Sequence, residues 1–425
     1  MTRTINWSKL IISLLALLLL APAAQPRMPI MNPYQLHPLR DVKGTSTQGS
    51  PEQMIVAAID AIRDNRMADA RATVDALLTK EPNYRLAYLL SADLYAMQAE
   101  PLATIGGAAP AINTDKLEDL RREALVRIKR QAAPPPLNQL PAQLIAFSAK
   151  QKYAILVDAS SSRLFVFENH DGTPKYVTDH YVTVGKLGTE KQREGDQRTP
   201  LGVYFVDSHM SRPQLDKTFG TQADLYGVGA WPISYPNEMD KREGRTGHGI
   251  WLHGSPSETY SRAPQASNGC VVLTNPEMLN VSDFLQIGTT PVVIVPKVEW
   301  LSAAEWQERH QAALHLLDNW RESWQSLNLP HYLNYYSKDF TTGDGQTLAS
   351  WSKQKSSLKA SRQSAQIDLS EVSLFSGGKN ETLVATFDQD YRSNNLDNRM
   401  RKRLYWRNED GAGWKIVWEG AAANG

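Results

Sequence analysis

The hydrophobic period of this chain changes at one place, the run Ala133-Pro134-Pro135-Pro136. Before it, apolar residues recur every three and four positions; after it, they alternate. Three prolines in a row remove three backbone donors and fix φ, so neither a helix interior nor a central strand runs through them. The 425 residues therefore divide, and the length suits two to four domains of roughly 100–200 residues each.

Upstream of the prolines, Ile55, Ala58, Ile59 and Ile62 share one face of a helix that begins at Pro51. Ala70, Val74, Leu77 and Leu78 repeat the pattern after a break near Asn65, and Leu86, Leu89, Leu90 and Leu94 mark a third helix from Tyr84 to Gln98. A fourth spans Lys116 to Arg130. The paired, small-residue helices resemble one tetratricopeptide unit, but a stable stack needs about three, so a small helical domain is expected over 51–132. Ahead of it, Arg3 and Lys9, the apolar run Leu10 to Leu20 and Ala21-Pro22-Ala23-Ala24 read as a secretory signal peptide over 1–24. The run is short for a hydrocarbon core of ~30 Å. Export to the periplasm or cell envelope is expected, with a flexible leader over 25–50.

Downstream, 133–148 reads as a proline-rich linker. Tyr153–Val157, Arg163–Phe167 and Tyr176–Val184 alternate as an antiparallel sheet, and Gly202–Val206, Ile250–His253, Cys270–Leu273 and Pro291–Val295 add strands. One short helix begins near Pro276. A mainly β domain is expected over 149–297. The third unit, 298–425, opens with a helix carrying Trp306, Leu314, Leu317, Trp320 and Trp324. A second aromatic helix is expected over His331–Phe340 and a third over Trp351–Leu358. Strands follow at Ala365–Leu374, Glu381–Tyr391, Arg401–Arg407 and Gly413–Trp418. Helices followed by a long curved sheet resemble the cone-shaped α+β fold of the nuclear transport factor two-like superfamily, a likeness of fold that says nothing of activity. Trp351 and Tyr336 are candidates for lining a pocket in that cone, and the domain is a candidate wall over a neighbouring cleft.

A formal net charge of +1 with both signs interspersed gives no drive toward nucleic acid. The single cysteine, Cys270, forbids an internal disulfide or a thiolate metal cluster, and no cysteine follows the signal to carry a lipid. The chemistry concentrates in Gly247-His-Gly-Ile-Trp-Leu-His-Gly-Ser-Pro256 and Ala266-Ser-Asn-Gly-Cys-Val-Val-Leu-Thr-Asn275. His253 ends one strand and Cys270 opens another; if the strands are neighbours, imidazole and thiol meet at one sheet end. A thiol of ordinary pKa ~8.5 needs such a base. Amide N–H groups at Gly269 and Cys270 suit an oxyanion hole. The bland alternative is a small buried core cysteine. His248 and His253, five apart on an extended strand, point to opposite faces, so no metal and no cofactor is expected. Gly227-Val-Gly229 reads as a turn.

His253-Gly254 followed by Ser267-x-Gly269-Cys270, with Thr199-Pro200-Leu201-Gly202 and the Tyr226–Pro236 stretch, resembles the L,D-transpeptidase catalytic (YkuD) family. The resemblance implies Cys270 as nucleophile, His253 as general base and Gly254 as the carbonyl that orients the imidazole. Ser267, Asn268 and Gly269 would shape the nucleophile loop. Asn268 and Val272 depart from the family pattern, which opens His248, Arg262, Arg245, Tyr226 and Trp231 as candidates for holding substrate. The implied partner is a peptidoglycan stem peptide: a thioester on Cys270 forms from a tetrapeptide, and an amine of a second stem or of a protein resolves it. An L,D-carboxypeptidase, with water as acceptor, is the first alternative, and a non-catalytic wall-binding scaffold the second. Oligomeric state is left open.

Overall fold

The computed structural model describes residues 48–109, 114–360, 364–378, 382–394 and 396–423. The stretch expected to be a signal peptide, 1–24, and most of the expected leader lie outside the described residues. The helical unit comprises α1 (Pro51–Arg63), α2 (Met67–Lys80), α3 (Arg85–Ala96) and α4 (Thr114–Ala132). Ser50 opens α1 with a capping box, its hydroxyl accepting from Gln53 N–H while the Gln53 side chain accepts from Ser50 N–H. The period-3.6 residues of all four helices close one core around Ile55, Ile59, Val74, Leu77, Leu90 and Ile128.

The segment read as a linker carries two strands, β1 (Gln139–Pro141) and β2 (Leu144–Ala146). The alternating run then gives β3 (Tyr153–Asp158), β4 (Arg163–His170) and β5 (Thr173–Tyr181), followed by β6 (Val184–Gly185), β7 (Gly202–Phe205) and β8 (Met210–Ser211). Where one helix was expected, the domain has α5 (Arg212–Phe219), a 3₁₀ turn at Gly220–Tyr226, α6 (Glu238–Arg242) and α7 (Asn275–Ser282). Helices this short show too few turns for a periodicity to register; their visible signals are caps, Ser211 with Gln214 and Asn237 with Asp240. The remaining strands are β9 (Gly229–Pro232), β10 (Trp251–His253), β11 (Gln265–Ser267), β12 (Val271–Val272) and β13 (Pro291–Val295).

The main sheet runs β5-β4-β3-β13-β7. β3, β4 and β5 pair antiparallel as expected, and β13 makes the whole sheet mixed by entering parallel to β3 with Val292 opposite Ile155. Alternation sorts its side chains into two cores. Ile155, Val157, Leu164, Val166, Val292 and Ile294 face Leu252 and Val271 of the second sheet, β12-β10-β9-β8. Leu156, Phe165, Phe167, Phe205, Val293 and Val295 face the other way.

The C-terminal unit comprises β14 (Trp300–Ser302), α8 (Ala303–Gln325), α9 (Leu329–Leu333), β15 (Tyr336–Thr342), α10 (Leu348–Ala360), β16 (Ala365–Gly377), β17 (Thr382–Ser393), β18 (Asp397–Glu409) and β19 (Gly413–Ala421). The helix expected over His331–Phe340 is a short helix followed by a strand. Tyr332, Tyr336 and Phe340 are four apart, a spacing that both helix and strand keep on one face. Strand β2 extends the curved sheet, pairing with β16 at Leu374 and Phe375, and β1 pairs with β14. The linker is thus woven into the third unit: Trp306 Nε1 donates to Leu144 O at 2.9 Å. Phe375, Val384, Tyr405 and Trp418 share a core with the outer face of the main sheet. This corrects the cleft-wall expectation, since the cone covers the face of the main sheet turned away from Leu252 and Val271. The cone's own cavity, about 600 Å³, is lined by Trp351, Trp324 and Lys355, whereas Tyr336 is buried and donates to Glu419.

Candidate active site

Strand β10 lies between β9, antiparallel, and β12, parallel, with Leu252 opposite Val271 and His253 opposite Val272. That register sets Cys270, one residue before β12, beside Trp251, two residues ahead of His253 on the adjoining strand. The two strands are neighbours.

His253 is buried, and its Nδ1 lies 2.7 Å from Gly254 O. Only the tautomer with the proton on Nδ1 can donate to a carbonyl, so Nε2 carries the free lone pair. Burial pushes the imidazole down to about 4; the bond to Gly254 opposes this and the nearby Arg262 charge adds to it. The Cys270 thiol donates to Gly249 O at 3.3 Å. Burial pushes it up to about 11, against a backbone hydrogen bond at Trp251 and the charges of Arg262 and Lys191. The residue is partly exposed at its surface, and the resting site holds a protonated thiol and a neutral imidazole. Such a pair attacks by moving the proton as the new bond forms, without a standing thiolate.

The nucleophile loop is braced from within. Ser267 Oγ donates to Cys270 O at 2.6 Å and accepts from Gly269 N–H at 3.0 Å. The Gly269 amide expected in an oxyanion hole is therefore spent inside the loop. Thr199 Oγ1 donates to Gly269 O at 2.9 Å and accepts from Gly185 N–H at 2.8 Å, which explains why the Thr199-Pro200 stretch belongs to the site. Gly269 has φ +124°, and a Cβ there would lie 2.7 Å from Arg198 O. Asn268 is exposed, its Oδ1 accepting from Gln197 at 3.4 Å.

The candidates for holding substrate separate. Tyr226 packs its ring 4.7 Å from Trp251 and edge-on 5.3 Å from His253. Phe219 completes this aromatic wall, 5.9 Å from Trp251. Trp251 and Phe219 were missed as site residues; the quoted motif contains Trp251, but an alternating strand gives no sign of which face opens to a cleft. Trp231 is a correction: it is buried in the core and stacks on His209 at 4.4 Å. Arg245 is another, bound to Asp240 at 2.8 Å and to Glu243. His248 is exposed, 3.8 Å from Glu194. Arg262 is half-buried, its guanidinium donating to Ala266 O and its charge lowering the Cys270 thiol against the upward push of burial. Gly227 closes a turn at the end of the 3₁₀ segment, as expected.

The helical unit grips the loop that follows His253-Gly254. Asn83 Nδ2 donates to Ser257 O at 2.8 Å, Tyr260 N–H donates to Asn83 O at 3.1 Å, and Ser261 Oγ donates to Glu123 at 2.6 Å. The Tyr260 ring packs 4.7 Å from Tyr84.

Residues 152–294 match the family model of the L,D-transpeptidase catalytic domain, YkuD. Bd1075 of Bdellovibrio bacteriovorus is 30% identical, the match covering 67% of this chain and 98% of that one at a TM-score of 0.59. The chain belongs to the YkuD family. Its members are cell-wall enzymes that act on peptidoglycan peptides. Residues 312–420 match the C-terminal NTF2-like domain of Cds6. The helical cell shape determining protein Pgp2 of Campylobacter jejuni shares the fold at 24% identity, with 65% of this chain and 95% of that chain covered and a TM-score of 0.54. No curated relative matches. The order of helical unit, YkuD domain and NTF2-like domain read from the sequence is the order in the structure.

Proposed function

We propose that this YkuD protein is an exported cysteine acyltransferase that removes the terminal D-alanine from peptidoglycan stem tetrapeptides. The observation that carries the reading is the parallel pairing of β10, which ends on His253, with β12, which Cys270 immediately precedes, together with the tie of His253 Nδ1 to Gly254 O. His253 Nε2 takes the thiol proton as Sγ bonds to the carbonyl carbon of the third residue. The C–N bond then breaks, the imidazolium returns its proton to the departing amine of D-alanine, and a thioester is left on Cys270. An acceptor nucleophile loses its proton to His253, attacks the thioester and restores the thiol. An amine acceptor makes a crosslink, which is L,D-transpeptidation.

Water as acceptor makes a tripeptide, the L,D-carboxypeptidase reading. One observation favours it: Cys270 is partly exposed, so bulk water reaches a thioester formed there. Kinship in fold with a cell shape determining protein is in keeping with trimming, which removes donors for crosslinking. The test is muropeptide analysis of tetrapeptide substrates with the wild type and Cys270→Ala. Tripeptides alone identify hydrolysis and dimers identify transfer. Equal processing by Cys270→Ala sinks the enzymatic reading and leaves a wall-binding scaffold.

A further inference from the structure

The bond between His253 Nδ1 and Gly254 O ties the ring to a carbonyl whose own residue has no side chain to hold it. Glycine lets the adjoining peptide turn more readily than any other residue does. If the Gly254–Ser255 peptide turned over, it would offer the ring the Ser255 N–H in place of the Gly254 carbonyl. Nδ1 would then accept, the proton would sit on Nε2, and the ring would lose its free base. Something outside Gly254 must therefore hold the carbonyl.

Leu273 grips both flanks of that glycine. Its N–H donates to His253 O at 2.9 Å, and its carbonyl accepts from the buried Ser255 Oγ at 2.8 Å. Gly254 N–H donates to Tyr226 O at 3.2 Å. Asn275 takes the next peptide: Nδ2 donates to Ser255 O at 3.0 Å, while Oδ1 accepts from Val228 N–H at 3.1 Å. Two bare backbones admit this carboxamide, since a Cβ at either Gly227 or Gly254 would lie 2.1 Å from Oδ1. Its root is fixed as well. Asn275 opens α7 behind Thr274, whose hydroxyl accepts from Glu277 N–H at 3.3 Å and donates to the Glu277 carboxylate at 2.8 Å.

We propose that Ser255 and Asn275 are positioning residues for His253: by fixing the plane of the Gly254–Ser255 peptide they keep the ring proton on Nδ1 and leave Nε2 free. The family resemblance implies only that the Gly254 carbonyl orients the imidazole; what holds the carbonyl is read from these contacts. The role in turnover rests on the thioester reading, in which Nε2 is the base. Ser255 is buried and bonded to Leu273, and Asn275 is bonded to backbone at both ends of its amide. Their effect therefore belongs to kcat and not to KM.

The experiment uses the full-length purified protein and its Ser255→Ala, Ser255→Thr and Asn275→Asp variants. Nitrogen-15 shifts of the His253 ring at neutral pH, assigned by their absence from His253→Gln, report which nitrogen holds the proton. Turnover of a tetrapeptide donor gives kcat and KM. Wild type should carry the proton on Nδ1. Ser255→Ala should show both tautomers and lower kcat about 3- to 10-fold, the size of one neutral hydrogen bond, with KM within about twofold. Ser255→Thr, which keeps the hydroxyl, should restore both readouts. Asn275→Asp keeps the acceptor for Val228 but loses the donor to Ser255 O, and should shift both readouts in the direction of Ser255→Ala. A wild-type ring protonated on Nε2 would overturn the proposal, a result that decides the matter even where a variant does not fold. So would a lowered kcat with the proton still on Nδ1 alone, which would make the two side chains braces of the fold and no more. A wild type without turnover would instead overturn the thioester reading, and the ring shifts would still decide what holds the carbonyl.

Discussion

His253 Nδ1 lies 2.7 Å from Gly254 O, a contact between neighbours in sequence that sets which ring nitrogen is free to act as base. Because burial pushes this imidazole down to about 4, it stays neutral across the pH range in which an ordinary histidine titrates. We expect kcat/KM to rise with a midpoint near pH 4 and to be flat through neutrality, where an unperturbed base would give a midpoint near 6.5. Stability follows the same proton. The unfolded chain protonates this histidine below about pH 6.5 and the folded one only near 4. Its contribution is thus complete above 6.5 and is lost as pH falls through 4. Urea unfolding at pH 7 and pH 5 should show this loss, and His253→Asn should reduce it.

The thiol answers to the opposite shift. With Cys270 pushed up to about 11, the resting protein holds little thiolate at pH 7.5. The thiolate that does form is more nucleophilic, so the deficit is partly offset. Alkylation of the native protein by iodoacetamide should be slower than that of free cysteine, on the order of tenfold. A faster reaction would show that the thiolate is standing in the resting site.

Gly254 has a second role besides its carbonyl. A Cβ there would fall inside Asn275 Oδ1, which accepts from Val228 N–H at 3.1 Å while Asn275 Nδ2 donates to Ser255 O at 3.0 Å. Gly254→Ala should cost roughly 1–3 kcal/mol of stability, the usual price of overpacking, and lower kcat by displacing His253. Adding Asn275→Ala, which makes room for the methyl group, should recover part of the stability in a thermal melt.

How far the sequence carries this picture depends on the range of the information. Sequence-local signals held: the 3.6-residue period upstream of Pro134 and the alternation of β3 and β4. What stayed hidden was set by contacts distant along the chain. Trp231 reads as a cleft aromatic until His209, 22 residues back, stacks on it; Arg245 is the exception, its partner Asp240 lying five residues back in a helix too short to show a period. Strand β2 is three residues long, and only its pairing with β16, more than 200 residues on, makes it a strand. The spacing of Tyr332, Tyr336 and Phe340 fits two periods equally, so local reading could not choose between them.

The hold of the helical unit on the site loop should be measurable. Tyr260→Ala removes the ring packed on Tyr84 and should cost about 2–4 kcal/mol, as aromatic truncations do. It should also raise KM more than it lowers kcat, because the loop ends at Arg262 while His253 is held by its own strand. Tyr84→Phe tests the same contact with the opposite sign. The Tyr84 hydroxyl is buried without a hydrogen-bond partner, so its removal should leave stability unchanged or raise it by up to about 1 kcal/mol. Chemical denaturation of both variants checks this.

The NTF2-like domain should prove inseparable from the YkuD domain. Phe165, Phe167, Phe205 and Val293 on the outer face of the main sheet share one core with Phe375, Val384, Tyr405 and Trp418. Ending the chain at residue 298 would expose that apolar face to water, and we expect an aggregating product rather than a smaller active enzyme. A point change probes the same interface without exposing it. Arg403, nearly fully buried, bonds Glu238 of the YkuD domain at 3.0 Å and packs 4.8 Å over the Phe205 ring. Arg403→Ala leaves the Glu238 carboxylate without its guanidinium and opens space against Phe205, a loss of about 3 kcal/mol by the behaviour of broken buried pairs. If the two domains unfold as one body, a single cooperative transition should move to lower denaturant with its slope unchanged. If they unfold separately, Arg403→Ala should instead split the curve into two transitions, and the shared core would not be the main source of their cohesion.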